Sequence, residues 1–161
     1  MRKQVLWASA TLAIVLSLAT GCSSSLSAAS TSPAATCVNQ AAPHHVYVVV
    51  QHLSGTTVQK CVGFTGDTID GAGAMDASGL EYQTQTFSFG KAICQIDNEP
   101  AQFSSCFADN GPNWSLFVET GGAWTVAQSG YTQVTLHDKE ALGWLFTSNP
   151  SPAPPPLAKE S

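Results

Sequence analysis

The chain has 161 residues, of which 43% are hydrophobic and 11% are charged, and its formal net charge is −5. This length accommodates one folded domain with flanking segments, and the apolar content is too high for a chain that is disordered throughout. Arg2 and Lys3 lie in the first 21 residues, so the remainder carries four lysines against eleven acidic residues, a balance of −7. Nucleic-acid binding depends on clustered Lys and Arg, so this composition excludes nucleic acid as the expected partner.

The first 21 residues have the pattern of an export signal. Arg2 and Lys3 precede an apolar run from Val5 to Ala19, which is shorter than the roughly 20 residues that a membrane-spanning helix needs. The run ends in the sequence LATGC at residues 18–22, which resembles the bacterial lipobox. This resemblance implies that the signal peptide comprises residues 1–21 and that Cys22 is lipidated. The protein would then be extracytoplasmic and attached to the cell membrane through its lipid anchor.

Two segments of low complexity flank the middle of the chain. Residues 23–36 contain six Ser, four Ala, two Thr, one Leu and one Pro, so residues 22–36 are predicted to form the lipidated cysteine and a flexible tether. Residues 149–156 read NPSPAPPP, which favours a polyproline conformation and cannot continue a helix or a strand. We therefore predict one folded domain over residues 37–148 and a proline-rich tail over residues 149–161.

The remaining four cysteines, Cys37, Cys61, Cys94 and Cys106, are an even number in an exported chain, which is typical of two disulfides. Four cysteines allow three connectivities. Cys94 and Cys106 are close in sequence and separated by the turn-rich residues 97–100, so we predict that they pair and that Cys37 pairs with Cys61. A four-thiolate zinc site is the rival interpretation, but the chain has no Cys-x-x-Cys pair.

The domain is predicted to begin with two strands, His45–His52 and Thr56–Phe64, because both segments are rich in β-branched residues. A helix is predicted over Ile69–Ser78, with Thr68 as its N-cap and Gly79 as its C-terminal stop. Its apolar face would contain Ile69, Ala72, Met75 and Leu80. Gly71 and Gly73 each disfavour a helix by about 1 kcal/mol relative to Ala, so this helix is expected to depend on tertiary packing.

Further short strands are predicted in the second half of the domain, at Glu81–Phe89, Lys91–Ile96, Trp114–Val118, Trp124–Ala127 and Gly143–Phe146. Gly121-Gly122 is predicted to form a hairpin turn between two of them. A hairpin, a helix and then more strands indicate an α+β domain in which one helix packs across a mixed sheet of short strands.

Several motifs of the domain occur in a characteristic order: GDT at 66–68, GL at 79–80, FSFG at 87–90, ICQID at 93–97, WSLFV at 114–118, GGAW at 121–124 and GWLF at 143–146. This series covers most of residues 45–147 and is similar to the transcobalamin C-terminal-like domain of actinobacterial and firmicute surface lipoproteins, a β-grasp-type fold. Two features depart from the family pattern. Gly71 and Gly73 interrupt the helix, and the usual Ile-Asp-Gly turn reads Ile-Asp-Asn, with Asn98 in the place of the glycine.

The resemblance has functional implications, because in the cobalamin carriers this domain closes over one face of the corrin ring. It implies a cobalamin-like or other transported micronutrient as the small-molecule ligand, and an envelope transporter as the partner that receives it.

Residues that could carry catalysis or bind a metal are few. His44 and His52 would lie about 27 Å apart at ~3.3 Å per residue, and His45 points to the opposite side, so the three cannot share one ion. The charged residues 137–140 are interpreted as a solvated turn. The chain has no Gly-x-Ser-x-Gly motif, no His-Glu-x-x-His motif and no phosphate-binding glycine loop. The sequence therefore predicts a protein that is not an enzyme and that carries neither a cofactor nor a metal.

Aromatic side chains are concentrated in the last third of the domain. Trp124 and Tyr131 lie close to the predicted turn at Gly121-Gly122, where side chains can leave the core, so we predict that both are partly exposed and bind ligand. Trp114 and Trp144 are predicted to be more deeply buried.

The leading hypothesis is therefore a lipid-anchored extracytoplasmic binding module. The alternative is a protein–protein adaptor or a structural component of the cell envelope. A concave aromatic pocket would favour the first hypothesis, and a flat apolar patch would favour the second.

Overall fold

The computed structural model describes residues 36–107, 109 and 111–157. The predicted signal peptide, Cys22 and all but the last residue of the predicted tether lie outside these residues. No helix in the described part of the chain has the length and apolar character that a membrane span requires.

The described residues form ten strands and one α-helix. In chain order these are β1 (Cys37–Val38), β2 (His44–Gln51), β3 (Thr57–Phe64), β4 (Ile69–Asp70), α1 (Gly71–Ser78), β5 (Tyr82–Phe87), β6 (Gly90–Ile96), β7 (Asn113–Thr120), β8 (Ala123–Val126), β9 (Thr135–Leu136) and β10 (Ala141–Thr147). A short 3-10 helix, Tyr131–Gln133, precedes β9. The seven longer strands correspond to the seven predicted ones, whereas the two-residue strands β1, β4 and β9 have no sequence signal of their own.

Six of the strands form a mixed sheet with the order β1-β3-β2-β10-β7-β8. The first and last long strands, β2 and β10, are parallel neighbours at its centre, and β3, β7 and β8 are added in antiparallel orientation. Strands β5 and β6 form a separate hairpin, and β4 pairs with β9. The predicted α+β architecture with one helix and a mixed sheet is confirmed.

Both faces of the sheet are covered, which is why residues 46–50 of β2 are all buried. On the first face, here called the helix side, α1 and the β5–β6 hairpin enclose the main core; this core contains Val46, Val48, Val50, Val62, Met75, Ile93, Ile96, Trp114, Tyr131, Leu142, Trp144 and Phe146. On the second face, here called the tail side, a smaller cluster contains Tyr47, Cys61 and Ala141, with Cys37, Trp124 and Leu157 packed against it.

The helix begins two residues later than predicted, and its N-cap is Asp70 rather than Thr68. The carboxylate of Asp70 accepts a hydrogen bond from the backbone N–H of Gly73 at 2.6 Å. Ile69 and Asp70 are held in an extended conformation by pairing with β9, so they cannot join the helix. The predicted stop is confirmed, because Gly79 ends the helix with a positive φ of 72°.

The first of the two helix glycines, Gly71, has a tertiary explanation. A Cβ at position 71 would lie 2.2 Å from the carbonyl oxygen of Tyr131, and the N–H of Gly71 donates to the carbonyl of Val134 at 2.9 Å. Glycine therefore allows the helix to approach the Tyr131–Gln133 turn. The predicted apolar face is corrected as well, because Ala74 and Met75 are fully buried whereas Ala72 and Ile69 are only partly so.

The predicted disulfides, Cys37–Cys61 and Cys94–Cys106, are both formed. Cys37 and Cys61 are register partners of β1 and β3. Cys94, in β6, is joined to a cysteine in the loop that follows this strand. Two disulfides in a small domain are typical of an oxidising, extracytoplasmic compartment.

The proline-rich segment is part of the folded structure at least as far as residue 157. Residues 149–157, here called the proline strap, lie on the tail side, where Pro155 is fully buried and Leu157 contacts the smaller cluster. The sequence places the end of the domain at residue 148 because proline cannot continue a strand. Proline does prevent strand pairing, because it has no backbone N–H to donate. A proline ring outside a strand can nevertheless be buried against the sheet.

Candidate functional site

A pocket of about 400 Å³ lies where β6, β7, β10 and residues 127–133 meet. Its lining is mainly apolar and aromatic, and it comprises Phe89, Lys91, Ala92, Ile93, Phe107, Trp114, Leu116, Ala127, Gln128, Ser129, Gly130, Tyr131, Gln133 and Trp144. Pockets of this size and composition are typical of small-molecule sites. It is here called the aromatic pocket.

Three buried aromatic rings, those of Trp114, Tyr131 and Trp144, contribute to the wall of the aromatic pocket. The rings of Tyr131 and Trp144 are 6.0 Å apart and meet edge to face. The indole N–H of Trp114 donates to the backbone carbonyl of Glu99 at 3.1 Å, which fixes the plane of its ring. The wall is therefore preformed, so a ligand would not have to order it on binding.

The phenol of Tyr131 remains uncharged. Burial raises its pKa above the usual value of 10.0. The ring of Tyr82 lies 6.3 Å from that of Tyr131. The pKa of the Tyr82 phenol is also raised, by burial and by the hydrogen bond that its hydroxyl donates to Asp76. Neither phenol carries charge near neutral pH, so Tyr131 adds no charge to the pocket lining.

A group of three phenylalanines, two of them exposed, lies at the mouth of the aromatic pocket. Phe87 is the last residue of β5 and Phe89 lies in the turn before β6; their rings are stacked with centroids 5.2 Å apart, and the Phe107 ring lies 5.3 Å from that of Phe87. Phe89 is 54% exposed and Phe107 is 48% exposed, although both are large apolar side chains. This group, here called the aromatic lip, presents apolar area to solvent beside a cavity into which a ligand could bury it.

Polar side chains complete the rim of the pocket. Gln128, Ser129 and Gln133 are exposed residues of the loop and the 3-10 helix, and Lys91 is an exposed residue of β6. The lysine places a positive charge beside an otherwise neutral cavity. The rim can therefore complement the acceptor groups or the negative charge of a ligand whose apolar part enters the pocket.

The structure places the two predicted ligand-binding residues on opposite sides of the sheet. Tyr131 does line the aromatic pocket, but it is 3% exposed, so the prediction that it is partly exposed was wrong. It is buried because the 3-10 helix turns its ring into the space between Tyr82 and Trp144. Trp124 is partly exposed as predicted, but it lies on the tail side under the proline strap.

Most residues of the pocket lining are not predicted from the sequence. Trp114 and Trp144 are buried as predicted, but they also line the cavity. Phe89 and Phe107 were not singled out. A signal existed for Phe89, since a phenylalanine beside the Gly90 turn has no neighbouring core to enter.

The histidines lie at separate places. His52 Nδ1 is 2.7 Å from the Glu99 carboxylate near one end of β2, and His44 Nδ1 is 4.0 Å from the Asp138 carboxylate at the other end. Within the described residues, no three or more His, Cys, Asp or Glu side chains are arranged to hold a metal ion.

No protein-family model matches the chain, and no curated protein matches it. Among solved structures, the chain is similar to a protein from Ruminococcus gnavus that is provisionally described as metal binding. The identity is 16% and the TM-score is 0.49, over 66% of this chain and 98% of the other.

Proposed function

We propose that the protein is an extracytoplasmic binding module that takes the planar, apolar part of a small molecule into the aromatic pocket. The observation that carries this proposal is the preformed wall of Trp114, Tyr131 and Trp144 beside the exposed aromatic lip. A concave aromatic cavity with a polar rim favours a small ligand over the flat contact that an adaptor uses. Lys91 at the rim favours a ligand that carries an acidic or strongly polar group outside the pocket.

The relation to the transcobalamin C-terminal-like domain and its β-grasp-type fold belongs to the same proposal. It is supported by the parallel central pair β2 and β10 and by a helix that follows the first hairpin. A corrin ring with its substituents is larger than a cavity of about 400 Å³, so a cobalamin-like ligand would insert one edge or contact the lip with one face. A smaller planar micronutrient would enter completely.

The ligand proposal predicts that a planar aromatic probe binds at the lip. We expect anilinonaphthalene sulfonate, whose sulfonate can approach Lys91, to bind the purified full chain with enhanced fluorescence. Phe89→Ala should weaken this binding by about tenfold, since truncating a packed aromatic at a contact costs roughly 1–3 kcal/mol. Fluorescence titration measures the dissociation constant of each variant.

The matched control is Leu53→Ala, because Leu53 is about as exposed as Phe89, at 58% against 54%, but does not line the aromatic pocket. Its affinity for the probe should stay within about twofold of the unsubstituted chain. Equal affinities for Phe89→Ala and the unsubstituted chain would contradict the proposed site. If the probe does bind at the lip, native mass spectrometry of the protein purified from its own host would identify the natural ligand by its mass.

Attachment to the membrane through Cys22 is a separate part of the proposal, supported by the lipobox-like sequence at residues 18–22. We expect Cys22→Ala to release the protein from the membrane fraction or to halt its processing, because two or more acyl chains, each contributing about 0.8 kcal/mol per buried CH₂, would be lost. Partitioning into detergent phase measures this. A variant that is processed and partitions as before would refute the lipid anchor.

A further inference from the structure

The tail side of the sheet carries an aromatic notch that is separate from the aromatic pocket. Trp124 pairs with Glu119 across the β7–β8 hairpin, so its indole lies on the same face as Phe117, with the two rings 6.5 Å apart and edge to face. The next strand contributes Gly143, which has no side chain. A Cβ at this position would lie 2.7 Å from the Trp124 ring. These three residues form what is here called the tryptophan notch.

A proline ring of the strap occupies the tryptophan notch. The same Cβ at position 143 would lie 2.9 Å from Cγ of Pro155, so the pyrrolidine ring and the indole both press on the glycine backbone. Pro155 is fully buried, whereas Pro154 and Pro156 on either side of it are exposed. Insertion of one proline of a polyproline segment beside an aromatic ring is the arrangement by which proteins recognise proline-rich peptides.

Within the described residues no backbone–backbone hydrogen bond joins the strap to the sheet, so side-chain burial holds the strap in place. The N–H groups of Asn149 and Ser151 donate to side chains two residues earlier, at 3.0 Å in both cases, and the strap prolines have no N–H to donate. Burial of Pro155 and Leu157 therefore contributes most of the docking energy. A proline-rich segment also loses little conformational entropy on docking, because its extended conformation is largely preformed. A contact of this kind can be exchanged without unfolding the domain.

We propose that the tryptophan notch is a polyproline-binding site and that the strap of a second copy of this chain can replace the strap docked within one copy. Residues 148–150, which follow β10 and include the first two residues of the strap, are exposed, so they can change the direction of the strap. The charges of two acidic chains would repel, but residues 149–157 and residues 121–126 carry none. An incoming strap would therefore bring no charge to the notch, and Glu119, the carboxylate beside Trp124, is buried and accepts a hydrogen bond from the N–H of Gly122. This inference does not depend on the aromatic pocket.

The test uses two full-length copies that carry different affinity tags and are co-expressed and solubilised in detergent. We expect the copies to co-purify, and we expect an excess of a synthetic peptide with the sequence of residues 149–157 to release one from the other. Pro155→Gly in both copies should lower co-purification by about tenfold, because the ring that fills the notch is lost. Pro156→Gly is the matched control, since its ring is exposed, and it should co-purify within about twofold of the unsubstituted chain.

Two outcomes would overturn the proposal. One is that the unsubstituted copies do not co-purify at all. The other is that Pro155→Gly and Pro156→Gly co-purify equally well, which would attribute the association to detergent or to another surface. The thermal midpoint of both variants, measured in parallel, ensures that a loss of association is not a loss of folding. Because neither variant touches the aromatic pocket, probe binding should be unchanged, which distinguishes this test from that of the proposed function.

Discussion

Trp144→Ala is expected to lower the free energy of unfolding by about 3–5 kcal/mol, the range for removing a large aromatic side chain from a core. Trp144 is 3% exposed and lies in β10, which is flanked by β2 and β7 at the centre of the sheet. Its ring contacts Tyr131 on the helix side. Truncation would leave a cavity continuous with the aromatic pocket, so ligand affinity should fall with stability. Denaturant unfolding monitored by circular dichroism measures the first effect, and probe titration measures the second.

Two further variants make this prediction specific. Trp144→Phe should lower the free energy of unfolding by less than Trp144→Ala does. The substitution keeps an aromatic ring and removes an indole N–H that has no hydrogen-bond acceptor among the described residues. Trp124→Ala should also cost less than Trp144→Ala, because Trp124 is partly exposed and lies under the strap instead of in the main core. If Trp124→Ala proves as destabilising as Trp144→Ala, the division into a main core and a smaller tail-side cluster is wrong.

The elements that the sequence predicts well are those with local causes. The β-branched run in β2, the two-glycine turn at Gly121-Gly122 and the glycine stop at Gly79 each determine a local conformation, and all three are formed. The start of the helix is different. It depends on the pairing of Ile69 with Leu136, which is 67 positions later in the chain, and no local pattern records that contact. The close approach of the Tyr131 carbonyl to Gly71 is also a contact between residues far apart in the sequence, so no local pattern predicts it.

The candidate site is predicted less well because it depends on which face of the sheet each side chain occupies. The two-residue turn pairs Thr120 with Ala123, and this register places Trp124 opposite Glu119 on the tail side. Strand alternation across this turn is therefore enough to separate Trp124 from Trp114. Phe107 is a different case, since it reaches the pocket only through the long loop after β6 and the disulfide that holds it. Loop paths of this kind have no periodicity from which to predict them.

The turn at Asp97 and Asn98 also has a local structural explanation. Asp97 and Asn98 both have positive φ, at 45° and 62°. Asn and Asp adopt this left-handed conformation more readily than other non-glycine residues, because their short side chains form local hydrogen bonds. Asparagine can therefore occupy this turn without a glycine, and the carbonyl of Glu99 just after it accepts a hydrogen bond from the indole N–H of Trp114.

Replacing the two disulfides separately should give similar losses of stability but different losses of binding. Cys94→Ser with Cys106→Ser, and Cys37→Ser with Cys61→Ser, are each expected to lower the free energy of unfolding by about 2–4 kcal/mol, because the unfolded chain is released from a cross-link. The sequence separations are 12 and 24 residues, so the second pair should cost about 0.6 kcal/mol more in the loop-entropy model. Thermal or denaturant unfolding of the two double variants measures both losses.

The binding effects should differ because the two cross-links lie in different parts of the domain. Cys106 immediately precedes Phe107, so the disulfide with Cys94 holds one member of the aromatic lip at the pocket mouth. Its removal should weaken probe binding by severalfold at a temperature where the domain is still folded. The Cys37–Cys61 disulfide lies on the tail side, so the corresponding double variant should bind the probe like the unsubstituted chain. Equal affinities for the two double variants would mean that Phe107 does not contribute to the site, and the pocket would then depend on Phe89 and the buried wall alone.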